Sequence, residues 1–575
     1  MIARRCLPAS RAACLLLYLL ITLVALNALV AHFATALPGT VVIQASDQIQ
    51  PSEFDIFAWD VWWVQHAVFD LHVSPLYTNA VVYPFTSPLA GHTLALLWGL
   101  VSAPFQALFG LIPTFNGIVV FNFVAAAMLM YLFARRHVQR TSIAFLAGLI
   151  FAFTPAMLHR ASLGHLDKLS IFWLPLCLLM WDKAIESRRW TWVVATGLCL
   201  YLSWLTDFQQ TMWSLLLLVP YMLYTGLIEP RNHGGTESKI ELRVSVSLWL
   251  LAVLACAVPA LFAPLPQLLE ANQLNYPPAR LEDTAYFAFP LQNFVTPDEN
   301  GDFSIGRLLP LLSLVSIPFI RRDSFRWLWL MVAALCFLLA LGPYIDIGST
   351  RVPLPYTLVH QLLGNQYRTP MRFATPGVFA LAMLVALTLD RFTHTALRTP
   401  YSVLRSAYSV VAVLSLLFIL DYQLLRPFPI TVMPDYQAYH DIAAAPGDFA
   451  VLEIPIGVRT GFAVVGRGEY LQYYQTIHQR PIPSGYLSRL PNEIMDFFFY
   501  DPLVGALTLS RALPPQAEVD AALEKLIRDW NIGYVILHRD MLEPGRVKAF
   551  GHLLDRQPTL EHVGEEGPLV VYRKK

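Results

Sequence analysis

The segment GHTLALLWGLVSAPFQALFGL, Gly91–Leu111, decides how this chain is arranged. It is long enough to cross a bilayer core, which takes about 20 apolar residues. If it crosses, every later cluster of Lys and Arg changes sides relative to Arg4, Arg5 and Arg11. Those clusters are Arg135/Arg136/Arg140, Lys183/Arg188/Arg189, Arg231/Lys239/Arg243, Arg321/Arg322/Arg326 and Arg391/Arg398/Arg405. Cytoplasmic loops retain Lys and Arg, so all the clusters belong on one side and Gly91–Leu111 does not cross. Pro104 inside the segment and Pro113 after it also count against an uninterrupted span. The segment reads as a helix lying in, or re-entering, the outer interface. Ala58–Val73 reads as a second interfacial helix, with Trp59, Trp62 and Trp63 as headgroup anchors.

The rest of the chain agrees with a membrane protein. Of its 575 residues 56% are hydrophobic and only 14% charged, against roughly 25% charged in soluble proteins. The net charge of zero offers nothing to nucleic acid. Cys6, Cys14, Cys177, Cys199, Cys256 and Cys336 avoid the long polar segments, so neither a disulfide framework nor a Cys metal site is expected. Apolar runs predict eleven spans, at 12–34, 115–134, 141–155, 169–186, 190–206, 209–228, 244–268, 306–320, 325–343, 373–389 and 406–424. The N-terminus is then cytoplasmic. The first span, with Ala34-Thr35-Ala36 after it, has as its alternative a cleavable signal peptide. The expected fold class is a polytopic α-helical membrane domain, 1–425, with a first outer loop at 35–114. A small extracytoplasmic α/β domain follows at 426–575. In it Ala450–Ile454, Gly533–Leu537 and Leu569–Tyr572 read as strands and Pro515–Trp530 as a helix.

The outer loops hold the residues that can do chemistry. The first carries Asp47, Asp55 and Asp60; acids this near a bilayer are costly unless they face water, a partner or a site. Asp55 and Asp60, five residues apart, point in different directions on a helix and do not form a dyad. Solvated loop acids capping the Trp-rich helix are the plainer reading. The second loop, His159–Lys168, places His165, Asp167 and Lys168 at the mouth of the next span; a snorkelling lysine beside a capping acid is the alternative. Asp207 occupies a tight tip before Phe208-Gln209-Gln210, as a helix cap or as a cavity-lining acid. Arg368 and Arg372 break the inside rule immediately before a span. Their guanidinium forks suit a lipid phosphate at the outer headgroup level. Asn275–Pro278 and Asp298–Asp302 read as shaped, solvated turns without calcium-loop spacing. Walker A, G-x-S-x-G and H-E-x-x-H motifs are absent, which argues against an ATP-driven pump and the common hydrolases.

Three stretches together resemble uncharacterised bacterial members of the GT-C superfamily of membrane glycosyltransferases. They are Ala58-Trp59-Asp60-Val61-Trp62-Trp63, Gly164-His165-Leu166-Asp167 and Tyr367-Arg368-Thr369-Pro370-Met371-Arg372-Phe373. The resemblance covers about 1–425. It implies a long first outer loop bearing an essential acid, which maps onto Asp55 with Asp47 and Asp60 as neighbours. A later outer acid maps onto Asp167. It further implies a polyprenyl-phosphate-linked sugar as donor and a glycan, lipid or protein as acceptor, in the plasma membrane of a bacterial cell. Asp55 would be the general base of an inverting transfer. Arg368 and Arg372, with Lys168 or His165, would hold the phosphate. Asp60, Asp167 and Asp207 would bind sugar hydroxyls. No cofactor is required; a divalent cation on Asp167 and Asp207 is compatible with the pattern. The alternatives are a lipid or polysaccharide transporter and a non-catalytic scaffold. Transport predicts polar groups at mid-membrane rather than at helix ends.

Overall fold

The computed structural model describes residues 8–40, 53–89, 91–228, 279–294, 304–320, 323–363, 365, 367–396, 407–468 and 471–575. Asp47, the span expected at 244–268 and the loops around Asn275 and Asp298 lie outside these residues. The chain forms two compact units. One draws on Met1–Ala31, Asn116–Ala263 and Pro278–Phe428; the other on His32–Phe115, Pro264–Pro277 and Pro429–Lys575. The segment His32–Phe115 therefore folds with the C-terminal segment rather than with the helical domain in which the sequence placed it.

The first unit is helical. Among the described residues, Leu111–His137 and Pro370–Thr393 are long and apolar enough to cross a membrane. Thr141–Ala152 and Pro155–Ser162 make a third span if taken as one, with a 46° bend between them. Thr154 caps the second piece by accepting from the Met157 N–H, and Pro155 stops the first. Ser10–Ala25, Trp190–Thr206, Leu308–Phe319, Ser324–Ala340 and Tyr408–Asp421 are apolar but shorter. Seventeen residues, as in Trp190–Thr206, rise only about 25 Å. Length and composition among the described residues thus give two spans, or three with the bent pair, and leave the expected eleven unconfirmed.

Helix ends on one side of this unit meet through charge. Arg136 bridges Asp182 at 2.5 Å and Glu186 at 3.1 Å. The Asp390 carboxylate accepts from the Gln139 and Arg140 N–H groups. Close helix approach is set by Gly148. A β-carbon there would lie 2.2 Å from Tyr18 Oη and 2.5 Å from Ala127 O. Gly148→Val is expected to destabilise the unit by about 1–3 kcal/mol through overpacking. A thermal melt in detergent checks this; an unchanged midpoint would show that the helices can separate at no cost.

In the second unit the strands run in the order Leu560–Glu566, Leu569–Lys574, Ile532–His538, Ala450–Ile454. The last two are parallel and the others antiparallel. Three of the four lie where the sequence puts strands, and Gln516–Asp529 is the expected helix. Leu560–Glu566 was not expected. It is a charged, half-exposed edge strand, the kind whose alternation is weakest in sequence.

The first loop is laced into this unit. Ala36–Pro38 pairs antiparallel with Ile430–Val432. Ile482 N–H donates to Ala80 O, and Val82 N–H to Ser484 O. Arg459 pairs with Glu53 at 3.1 Å. The Trp-rich helix runs over Phe54–Gln65, four residues earlier than expected, and passes into a π-helical turn at His66–Asp70. Its tryptophans do not anchor in headgroups. Trp59, Trp62 and Trp63 are buried, and Trp59 Nε1 donates to Gln475 Oε1 at 2.5 Å. The segment around Gly91–Leu111 forms a helix only over Leu96–Phe109, 14 residues. That is about 21 Å, short of the ~30 Å hydrocarbon core. Trp98, Gly99, Ser102 and Ala103 face inward on it, while Val101, Phe105, Leu108 and Phe109 are exposed.

Candidate functional site

A buried polar cluster forms in the first unit where three helix ends meet. The helix Pro155–Ser162 closes through Gly164, whose N–H donates to Ala161 O while the His165 N–H donates to Arg160 O. The chain then turns into the single helical turn Leu166–Leu169, with Asp167 and Lys168 inside it. Asp207 terminates Trp190–Thr206 and caps Phe208–Leu223, accepting from the Gln209 N–H at 3.0 Å. The Pro370–Phe373 turn brings in Arg372.

Lys168 is the hub. Its Nζ lies 2.6 Å from Asp167 Oδ2 and also bonds Asp207. With the Gln209 amide oxygen facing the cations, it accepts from Lys168 Nζ at 2.7 Å and Arg372 Nη1 at 3.2 Å. The Gln209 nitrogen then donates to Tyr367 Oη at 3.2 Å. Gln210 Nε2 donates to Asp167 O at 2.7 Å. Asp167 and Lys168 are each 1% exposed. Burying such charges is tolerable only because they are paired and hydrogen-bonded.

The two acids, one inside a short helical turn and one capping a helix, differ in character. Burial pushes the Asp167 carboxyl up, but Lys168, His165 and Arg372 outweigh it and hold the group below the ordinary range. At Asp207 burial prevails over Lys168, with the Asp167 charge adding to it, so this carboxyl is pushed up. Two carboxylates with environments driven apart, against a lysine and an arginine, form an arrangement suited to an anion and to hydroxyls.

Of the residues selected from sequence, this unit brings together His165, Asp167, Lys168, Asp207 and Arg372. Arg368 lies instead over the Phe287 ring, 5.1 Å from its centroid. Asp55 and Asp60 belong to the second unit. Neither is solvated: Asp55 is 2% and Asp60 0% exposed. Asp60 Oδ1 lies 2.8 Å from His92 Nε2, and His92 Nδ1 is 2.9 Å from Ser488 Oγ. Asp60 thereby ties the Trp-rich helix to the C-terminal segment. Gln209, Gln210, Tyr367 and His92 were not selected. The signal for Gln209 and Gln210 was their place after a capping acid; His92 stood out only as a polar residue in an apolar run. Among the described residues, no group of three or more His, Cys, Asp or Glu side chains is placed to hold a metal ion.

No family model and no curated protein matches the sequence. Solved structures do match the fold. ArnT from Cupriavidus metallidurans, in the apo state, is 13% identical with a TM-score of 0.50, over 98% of this chain and 97% of that one. The arabinofuranosyltransferase AftD from Mycobacteria is 13% identical with a TM-score of 0.53, over 100% of this chain and 42% of that one. This chain therefore spans less than half of the AftD chain. At such identity the likeness shows the fold alone, one shared with ArnT and AftD.

Proposed function

We propose that this protein is a membrane glycosyltransferase working at the extracytoplasmic face of a bacterial plasma membrane. It transfers a sugar from a polyprenyl-phosphate donor to a glycan, lipid or protein acceptor. The observation that carries this reading is the buried Asp167–Lys168–Asp207–Gln209–Arg372 cluster at helix ends in a GT-C fold. A transporter would keep such groups at mid-membrane along a path.

In the proposed step the acceptor hydroxyl attacks the anomeric carbon from the face opposite the phosphate. The C–O bond to phosphate breaks, configuration inverts, and the hydroxyl proton passes to Asp55. Arg372 and Lys168 receive the charge growing on the leaving phosphate. Asp167 and Asp207 accept from sugar hydroxyls. No cofactor is called for; the Lys168 ammonium sits between the two carboxylates, where a divalent cation would otherwise bridge them. The exposed apolar face of Leu96–Phe109 is suited to lipid tails.

The test is turnover of a panel of polyprenyl-phosphate sugars by the purified protein in lipid nanodiscs, read as released polyprenyl phosphate. Release with at least one donor, dependent on acceptor, is the expected result. Movement of intact donor between leaflets of a vesicle without release would favour the transporter.

A further inference from the structure

The second unit holds a cavity of about 290 Å³ that the proposed transfer step does not use. Small-molecule sites start near 300 Å³. Its lining combines Arg467, Arg546 and Glu543 with Thr508 and Ser510. We propose that this cavity binds the oxyanion of an acidic glycan, a phosphate or a carboxylate on a sugar.

The backbone presents these groups at a cost in conformation. Gly466 has φ +79°, and a β-carbon there would lie 2.1 Å from Ile456 O and 2.9 Å from Thr508 O. Only glycine fits that turn, and it delivers Arg467 to the wall. In the same lining Leu509 is held at φ +66°, a left-handed conformation rare for a residue with a branched side chain. Strain of this kind in a cavity wall points toward function. Thr508 Oγ1 donates to Gly505 O at 3.0 Å and lies 3.0 Å from Ser510 Oγ, which fixes both hydroxyls in the wall. Arg546 and Glu543 come from the start of the helix Pro544–Asp555 and its cap.

The two guanidinium groups, Arg467 and Arg546, match the oxygens of a phosphate or carboxylate. Glu543 opposes a bare anion but accepts from hydroxyls, so an anion carried on a sugar fits better than inorganic phosphate alone. As the acceptor subsite of the transferase the inference rests on the glycosyltransferase reading; as a binding site it does not.

The experiment uses the full-length protein in neutral-lipid nanodiscs. Inorganic phosphate, glucose 1-phosphate, glucuronate and glucose are titrated, followed by ³¹P line broadening or saturation-transfer NMR. Binding of glucose 1-phosphate or glucuronate is expected, with glucose weaker by about tenfold or more. Arg467→Gln and Arg546→Gln should each weaken the bound anion by about tenfold, the size of one lost charged hydrogen bond. The arm that binds identifies the source of the oxyanion. Arg546→Gln, at a helix start on the surface, keeps the test valid if Arg467→Gln misfolds. Absence of binding by every anion, or equal affinity in folded Arg546→Gln, overturns the proposal. Anion binding in a protein that releases no polyprenyl phosphate would overturn the transferase reading alone.

Discussion

Asp55→Asn is expected to lower transfer by about 10²–10⁴-fold, the range associated with losing a general base. The substitution keeps the shape of the side chain and removes its charge and proton affinity. Asp55 lies in the first turn of Phe54–Gln65, where a carboxylate is favoured by the helix dipole. It is 2% exposed, so an exposed neighbour cannot simply take its place. Donor affinity should change little, because the proposed phosphate contacts are elsewhere. The check is a single-turnover measurement with saturating donor, beside a donor-binding assay. Full activity in Asp55→Asn would remove the base from this residue. Asp60→Asn is the control, since Asp60 bonds His92 at 2.8 Å and its loss should appear as reduced stability.

Lys168→Met is expected to cost about 3–5 kcal/mol of stability, the penalty for leaving buried charge uncompensated. It is expected to abolish transfer as well. Lys168 serves Asp167, Asp207 and Gln209 together, and without it the two acids face each other in a buried site. The triple variant Lys168→Met, Asp167→Asn, Asp207→Asn removes the charges together. It should recover much of the lost stability yet remain inactive, because the phosphate has lost its cation. Thermal melts and donor turnover read the two effects separately. A stable Lys168→Met would show that the cluster is not charge-balanced as drawn. Transfer restored in the triple variant would show that the cluster has no chemical role.

Legibility followed range. The helix Gln516–Asp529 and the strand Ala450–Ile454 coincide with their sequence patterns, because period and neighbouring residues alone specify them. The Asp167–Lys168 pairing was close at hand, since the two residues are adjacent. Arg372 meeting Gln209 was not legible. The two are distant in sequence, and their contact depends on how separate helices pack. The tryptophans of Phe54–Gln65 were misread for a related reason. Aromatic, apolar residues have the same sequence signature in a headgroup belt and in a protein core, and the Trp59–Gln475 bond decides between them.

The sequence by itself determined a composition typical of membrane proteins, where the long apolar runs lie, and which segments concentrate acids and cations. These follow from composition, charge bias and local periodicity. Only the tertiary structure decided that His32–Phe115 folds with the C-terminal segment, and that Lys168 links two acids rather than snorkelling alone. Local periodicity tells which face of an element must be covered. It does not tell what covers it, because the free energy of burial is the same for any apolar partner of suitable shape. The partner is chosen by packing and by hydrogen bonds between residues hundreds of positions apart.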